Sequence, residues 1–408
     1  MHLSLSDDVP DSNPDETNRL WARVCHISAM SDRTSRTSGR GRRRGAKEAV
    51  GETGSTVSGS TSALEAEESG ITSGTSLSNA KATATTPRRS NFAKVVLNSR
   101  GIFVNNTSSI VPSAFAHFGT KKPQDNYSHL DGLRSANVWV EKDDAEVERI
   151  AAEYKEMRGL GLCEEEFATL AKETFLLRGW RSIEVSPDRL WRAERMLQLV
   201  CPPEENAHWR IPPILDISAV SDAEWRWDIR PDCAYWLSLK GFNPRYRFQI
   251  QNCTFVRDYI TCPYFTIEFK RDGQSEDVAV RQVAAAGSLA LFNRWYLHSE
   301  ARKARPSLAE NLSNLRHYAL TYVGSKFVFW VLRPTLNDGT WEGCTMTRLI
   351  GADCADEYGV RELIDWINEV HRWGILEHGP GCERDIKAVL NSGGVRTSDI
   401  HEDSPNAT

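Results

Sequence analysis

The chain has 408 residues, 40% of them hydrophobic and 26% charged, with a formal net charge of −5. That length allows two or three domains, and the weak negative charge excludes a polycation held to nucleic acid by bulk charge, so any such contact must be local. No uninterrupted apolar run reaches the roughly 18 residues of a membrane span, and the nine cysteines form no C-x-x-C pair or His-rich spacing that would make zinc or a disulfide framework a good reading.

Up to about Arg100 the chain is rich in Ser, Thr, Gly and Ala, with Trp21 as the one aromatic before Phe92, and a disordered region is expected there. Within it Arg40, Arg42, Arg43, Arg44 and Lys47 form a basic cluster, readable as a nuclear import signal, a non-specific phosphate contact or a solvated charge run. The start of the chain lacks the basic-then-apolar pattern of a secretory signal, so the expectation is an intracellular and reducing setting, with thiols buried as small hydrophobes. Phe92 to Phe118 reads as a linker or as a segment docked on the domain. The divisions drawn are 1–125 as the polar front, 126–395 as the folded domain and 396–408 as a disordered tail.

Regular structure is predicted from Asp143, where Val147, Ile150, Ala151, Tyr154 and Met157 follow helical spacing and Gly159 supplies a stop. A second helix carries Phe167, Leu170, Ala171 and Thr174. Ser186-Pro187-Asp188 reads as the start of a third, with Leu190, Ala193, Leu197 and Val200 on one side. After Pro231 the pattern turns to strands at Cys233 to Leu239, Thr254 to Ile260 and Tyr264 to Phe269. A long helix is predicted from Glu276 to about Leu297. Next come a hairpin of Tyr318 to Val323 and Phe327 to Leu332 turning at Gly324-Ser325, a strand at Thr345 to Ile350, and a helix marked by Val360, Leu363, Ile364, Ile367 and Val370 that Gly374 stops. This order predicts an α/β or α+β fold.

Three residues carry the chemistry. On an extended strand, positions two apart share a face, so Glu268 and Lys270 point one way and Ile267 and Phe269 the other. If the strand beginning at Asp232 pairs beside them, two carboxylates meet at one hard cation, and magnesium suits such a site because it prefers oxygen ligands and keeps several waters. An adjacent lysine is placed to orient a metal-activated water for attack on a phosphodiester. Gln282 shares a helical stripe with Val278, Ala285, Ala286 and Leu289, a poor place for an amide without a partner.

Pro231-Asp232, then Glu268-Phe269-Lys270, then a helix bearing Gln282, resembles the PD-(D/E)XK nuclease superfamily. The stretch Cys262 to Lys270, Gln282 to Ala286, Cys344 to Arg348 and the region Tyr358 to Asp385, including Trp366-Ile367-Asn368-Glu369, is similar to the fungal PD-(D/E)XK nuclease-like domain proteins, over roughly Asp143 to Leu390. The resemblance implies a restriction-endonuclease-like α/β core with a central mixed sheet flanked by helices. It also implies Asp232 and Glu268 as Mg2+ ligands, with Mn2+ able to substitute, Lys270 as the catalytic lysine, and Gln282 as the polar residue of the active-site helix. The partner implied is nucleic acid, DNA or RNA, with no membrane; the alternative is an inactive nucleic-acid-binding or protein-interaction module on the same fold. Many relatives add an acidic residue from an early helix, for which Glu166 and Glu173 are candidates. The long interval between Asp232 and Glu268 implies an inserted loop or strand holding Arg245, Arg247 and Arg257. Arg271, Arg294, Arg302, Lys303 and Arg305 are read as a phosphate groove or as an ordinary charged surface. His298, His317 and His371 are read as structural or surface residues, and Trp295 and Trp330 as core.

Overall fold

The computed structural model describes residues 85–107, 113–120, 138–178, 193–196, 209–219, 225, 227, 229–253, 260–308, 312–397 and 400. The polar front with its basic cluster lies outside these residues up to position 84, as does most of the span 179–208.

Seven strands make one sheet: β1 (Ile102–Asn105), β2 (Ala193–Met196), β3 (Cys233–Ser238), β4 (Ile260–Lys270), β5 (His317–Val323), β6 (Lys326–Asn337) and β7 (Thr340–Asp353). Their spatial order is β1-β7-β6-β5-β4-β3-β2. The β1–β7 and β4–β5 pairs are parallel and the other four antiparallel, so the sheet is mixed. The helices are α1 (Ala114–Phe118), α2 (Asp144–Leu160), α3 (Glu164–Thr174), α4 (Arg247–Gln251), α5 (Glu276–Ala304), α6 (Glu357–Trp373) and α7 (Gly379–Ser392). The architecture is α/β, with helices on both faces.

The interior strand β4 is a nearly unbroken apolar run because both of its faces are covered. On one face Phe265, Ile267 and Phe269 join Tyr154, Phe167, Leu363 and Trp366 of α2, α3 and α6. On the other, Val283, Ala284 and Leu289 of α5 pack on Ala319, Val328, Trp330 and Leu332. The chain therefore runs from β4 through α5 to a parallel β5, which places the start of α5 beside the end of β4. Local signals explain the helix ends: Asp143 and Glu146 form a capping box at α2, a left-handed Gly161 closes it, and Ser275 caps α5.

The structure departs from the sequence reading at several points. Residues Ala193–Met196 form an edge strand antiparallel to β3 instead of helix, because the hydrogen bonds offered by β3 outweigh the helix propensity of Ala, Glu, Arg and Met. The remainder of that expected helix, and positions 254–259 of the expected strand before Ile260, lie outside the described residues. A domain start at 126 is too late: Phe92, Leu97 and Ile102 are fully buried and β1 joins the sheet, so the fold includes residues well before 126. The tail likewise begins later than 396, since Ile400 is buried and its carbonyl accepts from Asn243 N. α2 ends at Gly161 and not Gly159, and α5 runs to Ala304, past Leu297.

Gly374 does not stop its helix. Its backbone is helical, and the chain continues through a π turn, Gly374–His378, into α7. Glycine is required there by contact: a Cβ would sit 2.5 Å from Cε2 of Tyr264. The Tyr264 ring is buried and its hydroxyl is 2.9 Å from His371 Nδ1, so it cannot swing aside. Gly374→Ala is expected to destabilise by about 1–3 kcal/mol through overpacking, opposite in sign to the roughly 1 kcal/mol gain such a change brings in an open helix. Urea denaturation midpoints would show it; an unchanged or raised midpoint would sink the steric account.

All seven cysteines among the described residues are free thiols, and Cys233, Cys262, Cys344, Cys354 and Cys382 are buried. No helix among the described residues is long and apolar enough to cross a membrane.

Candidate active site

Antiparallel register builds the site. Cys233 opposes Ile267, which sets Asp232 across from Glu268, and the Asp232 carboxylate extends the ladder by accepting from Phe269 N at 2.8 Å. On the other side of β4, Glu268 lies next to Thr321 of β5. The Thr321 hydroxyl donates its one proton to Glu276 Oε1 at 3.2 Å and accepts from Trp330 Nε1 at 3.1 Å, so it has none to give Glu268. Glu268 is 2% exposed and its Oε2 has no hydrogen-bond donor. Such an oxygen is costly unless something electropositive reaches it.

The cation beside it is Lys270. Its Nζ lies 3.6 Å from Glu268 Oε2, 4.0 Å from Asp232 Oδ2 and 4.0 Å from Glu164 Oε1, and it donates to the Phe269 carbonyl. Burial pushes the Glu268 carboxyl well above the ordinary carboxylate range, the charge on Asp232 pushes it further, and Lys270 only partly opposes them. One ammonium shared among three carboxylates leaves an excess of negative charge.

In front of this group lies a cavity of about 350 Å³ lined by Arg88, Glu164, Lys270, Gln274, Ser275, Val278 and Gln282. Gln282, two turns into α5, has its Oε1 buried without a donor, a second oxygen in the same condition as Glu268 Oε2. The structure thus brings Asp232, Glu268, Lys270 and Gln282 to one end of β4. The candidate donor atoms are all oxygens, the ligand type that a hard cation such as Mg2+ prefers. Among the described residues no three His, Cys, Asp or Glu side chains form a metal cage. What these residues could offer a hard cation is the carboxylate pair Asp232 and Glu268, with water as the further ligands.

Glu166 and Glu173, the candidates from the early helix, are exposed. The acid that reaches the site is Glu164, at the first turn of α3, whose Oε2 also accepts from Arg271 N at 3.1 Å. Its signal in the sequence was its place at the helix start, where a carboxylate is favoured and the chain turns toward the strand end. Arg88 was missed because it precedes the recognisable pattern altogether.

Other expectations resolve differently. Arg294 belongs to neither a groove nor a surface: it is buried, 2.7 Å from Asp385 Oδ2. Arg247 donates to the carbonyls of Phe242 and Lys240, a local role, and Arg257 lies outside the described residues. His298, His317 and His371 are all buried, bonded to Asp385, Thr266 and Tyr264 respectively. Trp330 is in the core and Trp295 packs against it partly buried.

Comparison with protein-family models, with curated proteins and with solved structures found no match for this chain.

Proposed function

We propose that the chain is a metal-dependent phosphodiesterase acting on nucleic acid, built on a restriction-endonuclease-like core. One observation carries the reading: a buried carboxylate oxygen, Glu268 Oε2, stands without a donor across the strand ladder from Asp232 and beside Lys270. A protein that keeps such an oxygen in its interior loses stability by it, and a bound cation would return that loss. The order of carriers also supports the reading. An acid at the start of one strand, an acid-x-lysine on its neighbour and a glutamine on the following helix are the arrangement that the resemblance to PD-(D/E)XK nucleases implies.

Asp232 and Glu268 would hold Mg2+, or Mn2+ in its place. The ion, when bound, would supply Lewis-acid polarisation of a phosphoryl oxygen and a lowered pKa for a coordinated water. The remaining steps belong to the side chains. Lys270 holds the attacking water by hydrogen bonding and offsets the charge that develops on the phosphoryl oxygens. A new P–O bond forms from that water as the bond to the leaving hydroxyl oxygen breaks, and a proton passes to the leaving oxygen through solvent. Gln282, with Oε1 turned inward, offers an acceptor that fixes a water or substrate hydroxyl. Asp232 keeps its orientation through the Phe269 N–H.

The test pairs wild type with Glu268→Gln on labelled single- and double-stranded DNA and RNA. Wild type is expected to cleave with Mg2+ and to stop when chelator is added. The variant should lose at least about 100-fold in rate, while its melting temperature holds or rises, because a neutral amide is cheaper to bury than a carboxylate. A folded wild type that binds these substrates and cuts none would replace the hydrolase with a non-catalytic binding module.

A further inference from the structure

We infer that Arg88, contributed by the chain upstream of the resemblance, is a phosphate-binding residue of this site; the inference rests on the reading of the cavity as a nucleic-acid site. The charged residues that line the cavity are Arg88, Glu164 and Lys270. Lys270 is committed, with three carboxylates around it. Arg88 is exposed and makes no ion pair or hydrogen bond among the described residues. The cavity therefore carries a guanidinium with no bonded partner among the described residues, in front of carboxylates that share Lys270 between them.

The backbone that presents it is held firmly. Arg281 of α5 donates from Nε to the Pro87 carbonyl at 2.7 Å, one residue before Arg88. Arg89 N bonds to Thr86 O at 3.0 Å and Phe92 N to Arg89 O at 3.1 Å, which turns the segment over the helix. Thr85 at one end is 1% exposed, and Phe92 at the other is fully buried, edge-on to Trp225 at 4.9 Å. The turn is fixed at both ends while its arginine head is uncommitted.

This combination suits an anion that arrives from solution. A planar guanidinium grips two oxygens of a phosphodiester at once, and a prefixed backbone lowers the entropy lost on binding. Arg88 and Lys270 set two cations beside Asp232, Glu268 and Glu164, so an incoming phosphodiester is met by the guanidinium, the cation not already shared among carboxylates. The ligand is accordingly a phosphate of the nucleic-acid backbone, held by Arg88 in the ground state as firmly as in the transition state. Removing Arg88 should raise KM and leave kcat nearly unchanged, the pattern of lost uniform binding.

The measurement is fluorescence anisotropy of fluorescein-labelled DNA and RNA oligonucleotides with full-length wild type, Arg88→Ala, Arg88→Lys and Arg89→Ala, across a KCl series in Ca2+ and in chelator. Cleavage in Mg2+ is followed alongside. Arg89 is the control: it is exposed, carries the same charge one residue on, and does not line the cavity. Arg88→Ala is expected to bind roughly 10- to 100-fold more weakly, with the salt slope reduced by about one. Arg88→Lys should recover part of the affinity and Arg89→Ala should match wild type. Equal losses at positions 88 and 89, or no loss at 88, would overturn the assignment. If wild type cleaves and Arg88→Ala is unaffected, the Arg88 inference falls and the hydrolase stands. If wild type binds without cleaving and Arg88→Ala binds poorly, the hydrolase falls and Arg88 stands. A wild type that binds no oligonucleotide overturns both.

Discussion

Lys270→Met is expected to reduce kcat/KM for nucleic-acid cleavage by about 10²- to 10³-fold, the usual cost of losing a positioned electrostatic stabiliser at a reacting centre. Methionine keeps most of the apolar stem and removes only the charge, so the effect isolates the ammonium. The Lys270 side chain is 12% exposed, and its departure leaves Asp232 and Glu268 facing each other without the ammonium they share. The fold has a way to absorb this. Burial and Asp232 already hold the Glu268 carboxyl above its ordinary range, and losing Lys270 raises it further, so the group takes up a proton in the folded state. For a carboxyl whose folded pKa is raised, the cost to stability grows as pH climbs from the ordinary carboxylate value to the raised one. The variant should therefore melt closest to wild type near the ordinary carboxylate pKa and fall progressively below it as pH rises. Cleavage within a factor of a few of wild type by a folded Lys270→Met would remove Lys270 from the chemistry.

A second large effect is expected far from the site. Asp385 is fully buried on α7, 2.7 Å from Arg294 Nη1 and 3.0 Å from His298 Nδ1, both on α5. Asp385→Ala would strand a buried guanidinium, and a loss of about 3–5 kcal/mol is expected, a substantial part of the roughly 5–15 kcal/mol that holds a domain together. The same carboxylate sets an acid limit. Burial alone would raise its pKa, yet the His298 hydrogen bond and the Arg294 charge outweigh burial and hold it at about 2, below the ordinary 3.8. A carboxyl with a lowered folded pKa stabilises above its unfolded value, and that contribution, about 2 kcal/mol here, disappears as pH falls from about 4 through 2. Urea denaturation of wild type and Asp385→Asn between pH 6 and 2 checks this: the gap between them should narrow over that window, and a constant gap would refute it.

What the sequence revealed, and what it hid, follows from the range of the interactions involved. Glu268 and Lys270 share a face by strand alternation, which is local and legible in the sequence, whereas Asp232 joined them only on the condition that its strand pairs beside theirs and through the family resemblance. The β5–β6 hairpin was readable for the same reason, since Val323 and Lys326 close around the two-residue turn Gly324-Ser325. The helix periodicity around Val147 to Met157 marked α2 and its buried stripe. Partners distant in sequence were invisible. Nothing in Ala-Glu-Arg-Met announces an edge strand until β3 lies beside it, and nothing near Gly374 announces the Tyr264 ring. Arg294 was indistinguishable from a surface arginine because its counter-ion, Asp385, lies on another helix. Glu164 was passed over for Glu166 and Glu173 because helical spacing does not say which end of a helix approaches a strand.

The parallel pairing of β1 with β7 also sets an order of events during synthesis. Ile102 finds its partner in Cys344, about 240 positions later, so at roughly 5–20 residues per second β1 waits on the order of 12–48 s for the strand that receives it. Asp232, Glu268, Lys270 and α5 have all been made by then. The segment bearing Arg88 leads directly into β1, and its seat on the sheet edge is built last. A nascent chain thus carries its acidic centre, and the Arg281 that anchors Pro87, before the sheet edge that receives β1 has been made.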